Sequence, residues 1–181
     1  MTSQPSILIL YAHPASHRSR INRGMAEAAR NLANVRVHDL YETYPDFHID
    51  VPHEQALLAM ADLVVFQHPI HWYSMPSLLK EWTDVVLEHG WAYGQDGIAL
   101  HGKDYWLAVT TGGPDESYRQ EGYNSHSFSA FLPPFEQTAR LCGMRWRTPH
   151  VLHGAHQADR ETIAAHIALY QEKLRSYPHW N

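Results

Sequence analysis

Short apolar runs alternate with amphipathic stretches along this chain. Apolar residues fill almost every position of three runs, 6–12, 63–68 and 105–110. Runs of this length that are apolar on both faces are typical of parallel strands buried inside a sheet. Two further strands are predicted at 35–40, where apolar and polar residues alternate, and within 145–153.

The stretches between these strands carry apolar residues at helical spacing, which predicts a helix in each connection. The predicted helices cover 19–33, a stretch that starts near Pro52, 77–88, 127–141 and 159–176. In the second of them, Ala56, Leu57, Met60 and Ala61 are expected to face inward. The alternation predicts a single α/β domain over 1–181: a flavodoxin-like, doubly wound sheet of five parallel strands in order 2-1-3-4-5, with helices on both faces.

Composition narrows the class of protein. The chain has 181 residues, 44% of them hydrophobic and 18% charged, which is ordinary for a globular protein. The net charge of −5 argues against a nucleic-acid partner, which would favour a basic stripe. The single cysteine, Cys142, fits a reducing compartment, and the polar start and short apolar runs predict a cytoplasmic protein.

The loop after the first strand is built to bind a phosphate. It runs from His13 into a predicted helix start, where free N–H groups and the helix dipole favour an anion. Ser19 is expected to cap that helix or to donate its hydroxyl, Arg18 and Arg20 to add positive charge, and Asn22 to brace the loop. The alternative is an ordinary capped helix with solvated arginines. Neither G-x-x-x-x-G-K-[ST] nor G-x-G-x-x-G occurs here, which argues against a nucleoside triphosphate or a tightly held nicotinamide dinucleotide.

The loops after the third and fourth strands are suited to a flat ring. Residues 70–73 offer backbone groups for the polar edge of a ring, and Trp72 and Tyr73 can pack on its face. Residues 110–113 include two glycines, which allow close backbone approach and amide stabilisation of negative charge. An aromatic pair alone is more typical of a core or an interface, but the three loops together favour a flavin.

On these motifs the chain resembles the NAD(P)H:quinone oxidoreductase family of flavodoxin-like flavoproteins. Within it, the chain is most similar to the ancillary, regulatory subunits of bacterial glutathione-gated potassium efflux systems, through residues 44–47, 77–82, 89–94 and 99–103. The resemblance implies FMN rather than FAD, reduction by NAD(P)H, a homodimer, a quinone substrate and docking on a membrane potassium efflux antiporter. The implied cofactor contacts are His13, Ser19, Arg20, Ile21, Asn22, Ile70, His71, Trp72, Tyr73, Thr110, Thr111, Gly112 and Gly113.

The same resemblance implies a ping-pong mechanism, in which hydride passes from NAD(P)H to flavin N5 and a quinone then accepts two electrons at the same place. Its implied catalytic residue is Tyr118, and the family places a histidine six residues later. Here that position is Asn124, and His126 follows, so the histidine role is open. The implied substrate pocket consists of Trp72, Tyr73, Tyr93 and Tyr118.

Several alternatives remain open at this stage. Tyr93 either walls a neighbouring subunit's pocket or fills a subunit contact with Trp91. An NADPH preference would need a basic residue, for which Arg119 is a candidate. No metal is expected, because histidines three apart on a strand, as at 150, 153 and 156, fall on opposite faces. Besides a quinone reductase, the chain could be a regulatory subunit that keeps flavin as a structural or sensing element. A one-electron carrier of the flavodoxin type is disfavoured, because the phosphate loop is not Thr/Ser-rich.

Overall fold

Five parallel strands form one sheet, and the loops at their carboxyl ends carry the candidate site. The strands of this computed structural model, which describes residues 4–180, are β1 (Ile7–Tyr11), β2 (Val35–Asp39), β3 (Leu63–Pro69), β4 (Asp104–Thr110) and β5 (Arg145–Leu152). They lie in the order β2-β1-β3-β4-β5, and each neighbouring pair is parallel. The predicted fold class and strand order are confirmed.

Helices cover both faces of the sheet. They are α1 (Ile21–Arg30), α2 (Leu40–Thr43), α3 (Val51–Met60), α4 (Ser77–Val86), α5 (Pro133–Leu141) and α6 (Arg160–Ser176). The helices α1 and α6 pack on one face, against the strand positions around Ile9 and Val65, and the other four pack on the opposite face. Within the described chain we find no helix that is long and apolar enough to cross a membrane.

Two predicted helices begin later than expected. The helix predicted from residue 19 starts at Ile21, because Ser16–Arg18 forms a separate 3-10 turn before it. The helix predicted over 127–141 is divided into a 3-10 turn, Phe128–Phe131, and α5. Two consecutive prolines explain the break, since proline lacks the N–H of a helix interior and suits the first turn.

The face of α3 that turns inward was predicted incorrectly. Met60 is 64% exposed and Ala56 is also exposed, whereas Leu57 and Ala61 are buried as expected. A buried carboxylate decides the orientation: Glu54 is fully buried and accepts hydrogen bonds from His38 Nε2 at 2.8 Å, Tyr44 OH at 2.5 Å and Trp82 Nε1 at 2.7 Å. Burial alone would raise the pKa of Glu54, but these three donors outweigh it and lower the pKa.

A short helix and a capping aspartate were also missed. The second strand, predicted to reach residue 40, ends at Asp39, and Leu40 opens α2. The Asp39 carboxylate accepts hydrogen bonds from the backbone N–H groups of Tyr41 and Glu42, which is the usual role of an aspartate before a helix. The chain therefore turns immediately after β2, and this turn places the hydroxyl of Tyr44 within hydrogen-bond distance of Glu54.

Two buried histidines stack on each other between β5 and α6. The rings of His150 and His166 lie 3.9 Å apart, Tyr170 stacks on His150, and the ring of Trp106 lies tilted beside it. The Nε2 atoms of both histidines have no hydrogen-bond partner among residues 4–180. Burial lowers the pKa of His150 to about 3, with His166 and Lys173 adding to the effect, and burial lowers that of His166 to about 4. Both rings are therefore neutral at pH 7.

This pair predicts that acid destabilises the fold in a specific pH window. An unfolded histidine titrates near pH ~6.5, so the unfolded chain binds protons that the folded protein excludes, and stability falls as the pH drops from about 6.5 towards 4. His166→Phe keeps a stacked ring without a titrating group, so its unfolding free energy should vary less with pH over this window. Denaturant unfolding at several pH values measures this. Exposed His48→Asn is the control, and an unchanged pH profile in His166→Phe would contradict the assignment.

Candidate functional site

A cleft in two parts opens at the carboxyl ends of β1, β3 and β4. The first part, here called the cationic half, has a volume of about 360 Å³ and is lined by His13, Arg18, Ser19, Arg20, Ile21, Asn22, Pro69, Ile70, His71, Thr110, Gly112, Ala155 and His156. The second, the aromatic half, has a volume of about 250 Å³ and is lined by Ile70, Trp72, Tyr73, Gly113, Ser117, Tyr118, Tyr123 and Asn124. Ile70 belongs to both, so the two halves adjoin.

The cationic half is organised around the start of α1. Ser19 Oγ accepts a hydrogen bond from Asn22 N at 3.1 Å, so capping is the predicted role that the structure shows for Ser19. The preceding loop is folded on itself, with Ala15 N donating to His13 Nδ1 at 3.1 Å. Burial, with a further contribution from His71, lowers the pKa of His13. Arg18 and Arg20 therefore provide the fixed positive charge near this helix N-terminus, which suits an anion.

A chain of buried hydrogen bonds ties this half to the sheet. Tyr170 OH donates to Gln67 Oε1 at 2.9 Å, and Gln67 Nε2 donates to the carbonyl of Asn22 at 2.7 Å. Asn22 Nδ2 in turn donates to Thr110 Oγ1 at 2.8 Å. Asn22 therefore braces the loop as predicted, and its Oδ1 atom is buried without a hydrogen-bond partner within the described residues. A buried acceptor without a partner is unusual, and Asn22 is one of the residues that line the cationic half.

The aromatic half includes a strained turn. His71 and Ser74 exchange both backbone hydrogen bonds at 3.0 Å, and the two residues between them, Trp72 and Tyr73, have φ values of 47° and 62°. A two-residue turn with both φ values positive normally takes Asn-Gly, because a large side chain is unfavourable there. Trp72 is nevertheless 93% exposed, so the strain is not offset by burial of its ring in this chain. Strain of this kind is concentrated at ligand sites.

Tyr118 and the aromatic residues packed around it support the wall of the aromatic half. Tyr118 is buried and packs edge-on against Phe128 and Phe131, with ring centroids 5.5 and 6.2 Å away. Tyr73 stacks on Phe131 at 4.9 Å, and its hydroxyl donates to Asn124 Oδ1 at 3.2 Å. Asn124 therefore helps to fix the position of Tyr73 in the wall of the cleft.

The loop at 110–113 lies between the halves and is held by β5. Thr111 N donates to Leu152 O at 2.9 Å, and Gly154 N donates to Gly113 O at 2.8 Å, so the β4–β5 ladder continues beyond the strands. A Cβ atom on Gly112 would lie 3.1 Å from His156 Nε2, so the glycine keeps the backbone accessible from the cleft. Gly112 faces the cationic half and Gly113 the aromatic half.

The structure brings together the predicted site residues with a few exceptions. All of the predicted cofactor contacts line one of the two halves except Thr111, which lies behind the loop and hydrogen-bonds it from within. Tyr93 lies outside the cleft, edge-on to His89 at 5.5 Å. His126 is exposed beside Phe131, and Arg119 lies 3.5 Å from Asp115.

Several lining residues were not predicted from the sequence. Arg18 lies in the cationic half beside Arg20, as its place in the first loop indicated, but Ala155 and His156 were not predicted, because the loop after β5 carries no phosphate or ring motif. Ser117 and Tyr123 lie in the long loop after residue 113, and their approach to the cleft depends on how that loop folds. Across the described residues, no three His, Cys, Asp or Glu side chains are grouped closely enough to hold a metal ion.

The chain matches one protein family and is similar to several known proteins. The Flavodoxin_2 family, described by its flavodoxin-like fold, matches residues 5–174. The glutathione-regulated potassium-efflux system ancillary protein KefG of Serratia proteamaculans (strain 568) is 48% identical over 181 residues, covering 99% of this chain and 98% of its own. The general stress protein 14 of Treponema denticola, solved in complex with FMN, superposes with a TM-score of 0.90 at 39% identity, covering 95% of this chain and 99% of its own. An NADPH-quinone reductase from P. pentosaceus has a TM-score of 0.84 at 28% identity, covering 93% and 96%.

The strained turn predicts a gain in stability when its more exposed residue is replaced. Trp72→Asn places in the turn a residue that tolerates positive φ, and it removes a side chain that is 93% exposed, so the free energy of unfolding should rise by about 1 kcal/mol. Denaturant unfolding measures the change. Tyr123→Ser is the matched control, because it removes another exposed aromatic side chain of the cleft without altering the turn. A Trp72→Asn variant no more stable than the unchanged protein would show that the turn is not strained at this position.

Proposed function

The chain belongs to the Flavodoxin_2 family, and from that premise we propose that it is an FMN-dependent NAD(P)H:quinone oxidoreductase built as one FMN-binding domain. We propose that it also serves as an ancillary subunit of a potassium-efflux antiporter. The observation that carries the enzymatic part is the division of the cleft. One half offers a helix N-terminus and two arginines, and the adjoining half offers aromatic walls. FMN has the same division, with a phosphate at one end and a flat ring at the other.

The residues of the cleft fit such a ligand. Arg18, Ser19, Arg20 and the N–H groups at the start of α1 would hold the phosphate. The unpartnered Oδ1 of Asn22 would accept a hydrogen bond from a hydroxyl of the chain that links phosphate and ring. Residues 70–73 and 110–113 would hold the ring between them, and Gly112 leaves space for close contact with the backbone. Volumes of about 360 and 250 Å³ favour one mononucleotide over FAD.

Bound FMN would supply the two-electron chemistry, and the protein orients and screens the reactants. Trp72 and Tyr73 stand at the open side of the aromatic half, where a nicotinamide or a quinone would stack in turn. Tyr118 forms the buried wall of the same half and presents its phenol group there, which supports its assignment as the catalytic residue. Backbone amides of residues 112 and 113 favour negative charge on the ring edge.

The open side of the aromatic half also supports a homodimer. Trp72 and Tyr123 are 93% and 92% exposed, and two large aromatic side chains at the rim of a cleft are typical of a surface that another chain covers. A second copy would complete the wall, and Tyr93 of that copy is the proposed contributor. The ancillary role rests on the potassium-efflux relative, and it would place this protein at the cytoplasmic face of the inner membrane through its partner.

The enzymatic proposal predicts a specific colour change and a specific phosphate dependence. Protein loaded with FMN should bleach when NADPH is added anaerobically and recolour when a soluble quinone follows, as recorded by absorption spectroscopy. Arg18→Ala should weaken FMN binding about tenfold by removing a charge-assisted contact with the phosphate. The same variant should bind riboflavin, which has no phosphate, as well as the unchanged protein does.

Arg23→Ala is the matched control, since Arg23 lies on the exposed face of α1 beside Glu27 and outside the cleft. Equal losses of FMN and riboflavin affinity in Arg18→Ala would contradict the assignment of the phosphate to the cationic half. A protein that cannot be loaded with FMN would refute the oxidoreductase proposal itself.

The ancillary proposal predicts an effect on ion transport. Potassium efflux gated by glutathione should slow when this protein is deleted from cells that carry its antiporter and should recover when the protein is supplied again. Supplying Arg18→Ala, the variant expected to bind FMN weakly, separates the two roles. Full recovery of efflux would mean that the subunit activates the antiporter by docking alone, and partial recovery would mean that bound FMN contributes. Unchanged efflux on deletion would exclude the ancillary role.

A further inference from the structure

A histidine outside every predicted contact lies behind the aromatic half. His153 follows β5 directly, one position beyond the register pair Thr110 and Leu152, so it lies beside Thr111. Its ring is largely buried: it lies 5.3 Å from the ring of Tyr118 and 4.9 Å from that of Phe128, which it meets edge-on. The side chain therefore contacts both the proposed catalytic tyrosine and the loop at 110–113.

Hydrogen bonding fixes which ring nitrogen carries the proton. Thr111 Oγ1 donates its hydrogen to Gly113 O at 2.7 Å, and His153 Nδ1 lies 3.0 Å from the same oxygen. Since the hydroxyl hydrogen is already used, Thr111 accepts and Nδ1–H of His153 donates. The chain His153–Thr111–Gly113 therefore fixes the carbonyl of Gly113, in a loop whose two glycines line the two halves of the cleft.

The second ring nitrogen faces acidic groups. His153 Nε2 lies 3.6 Å from Asp115 Oδ1, and Asp115 also lies 3.5 Å from Arg119. Burial lowers the pKa of His153, whereas Asp115 and Glu116 oppose that shift. Burial is the larger effect, so the pKa of His153 is lowered overall, and additional negative charge nearby would favour its protonated form.

We propose that His153 is the positioning residue of this cleft: Nδ1–H fixes Thr111 and the backbone of residues 112 and 113, and Nε2, beside Asp115, takes a proton from water when negative charge builds up on a ring in the aromatic half. The inference rests on the proposed function, because the electron pair that creates the charge comes from the NAD(P)H named there. One proton from solvent is bound, and no bond within the protein breaks.

Two variants separate the two roles of the imidazole. In His153→Asn, the side-chain amide nitrogen takes about the place of Nδ1, so the contact with Thr111 is kept while the titrating Nε2 is removed. In His153→Phe, the ring volume is kept and both polar contacts are lost. FMN affinity should stay within about threefold in the first variant and fall about tenfold in the second, as measured by fluorescence titration.

The pH dependence of the midpoint potential of bound flavin tests the proton. Between about pH 6 and pH 8, the unchanged protein should take up one more proton per electron pair than His153→Asn does. Exposed His48→Asn is the control and should behave as the unchanged protein. Equal proton uptake by His153→Asn and the unchanged protein would overturn the proton role, and equal FMN affinity of His153→Phe would overturn the positioning role.

A measurement without cofactor distinguishes failure of this inference from failure of the proposed function. Nitrogen-15 NMR of the cofactor-free protein reports the tautomer of His153, which should carry its proton on Nδ1. The substitution Asp115→Asn should lower the pKa of His153, because it removes the neighbouring negative charge. An Nε2–H tautomer would overturn the inference whether or not FMN binds. If the tautomer is as expected but the protein cannot be loaded with FMN, the proposed function falls and the proton role falls with it.

Discussion

The candidate site depends on one buried amide in the middle of the sheet. Gln67 is fully buried in β3, between Tyr11 of β1 and Ala108 of β4, and both ends of its side chain are hydrogen-bonded, to Tyr170 OH and to the carbonyl of Asn22. Asn22 passes the constraint on to Thr110. A buried amide is costly unless it is bonded, so the start of α1 and the ends of β3 and β4 can hardly move separately. The three loops of the cleft therefore share one anchor.

The two halves of the cleft solve different physical problems. The cationic half is made of helix-end N–H groups and side chains fixed by hydrogen bonds, which suits a ligand that stays bound. The aromatic half is bounded by a turn in which Trp72 and Tyr73 hold an unfavourable backbone conformation with much of their surface exposed. An open and strained wall suits ligands that enter and leave, because little packing has to be broken for exchange. The asymmetry agrees with a resident cofactor and alternating substrates.

Patterning along the sequence was sufficient for the sheet but not for the details of its surroundings. Uniformly apolar runs identify β1, β3 and β4 because these strands are buried on both faces. The orientation of α3 could not be predicted in the same way, since it depends on Glu54, a polar residue whose three donors come from distant parts of the chain. The loops after β1, β3 and β4 carry recognisable motifs, whereas the β4–β5 register places His156 in the cleft and His153 behind it.

The contribution of β5 changes how the cleft should be understood. Motifs place ligand contacts on the loops after β1, β3 and β4, yet the loop after β4 takes its shape from the next strand, through the bonds from Thr111 and Gly113 to residues 152–155. A loop with two glycines has little conformational preference of its own, so an external template is needed to aim its peptide groups. That template includes an imidazole beside a carboxylate. The element that fixes the geometry of the loop therefore also brings a titratable group to the aromatic half, and position and charge are set by the same side chain.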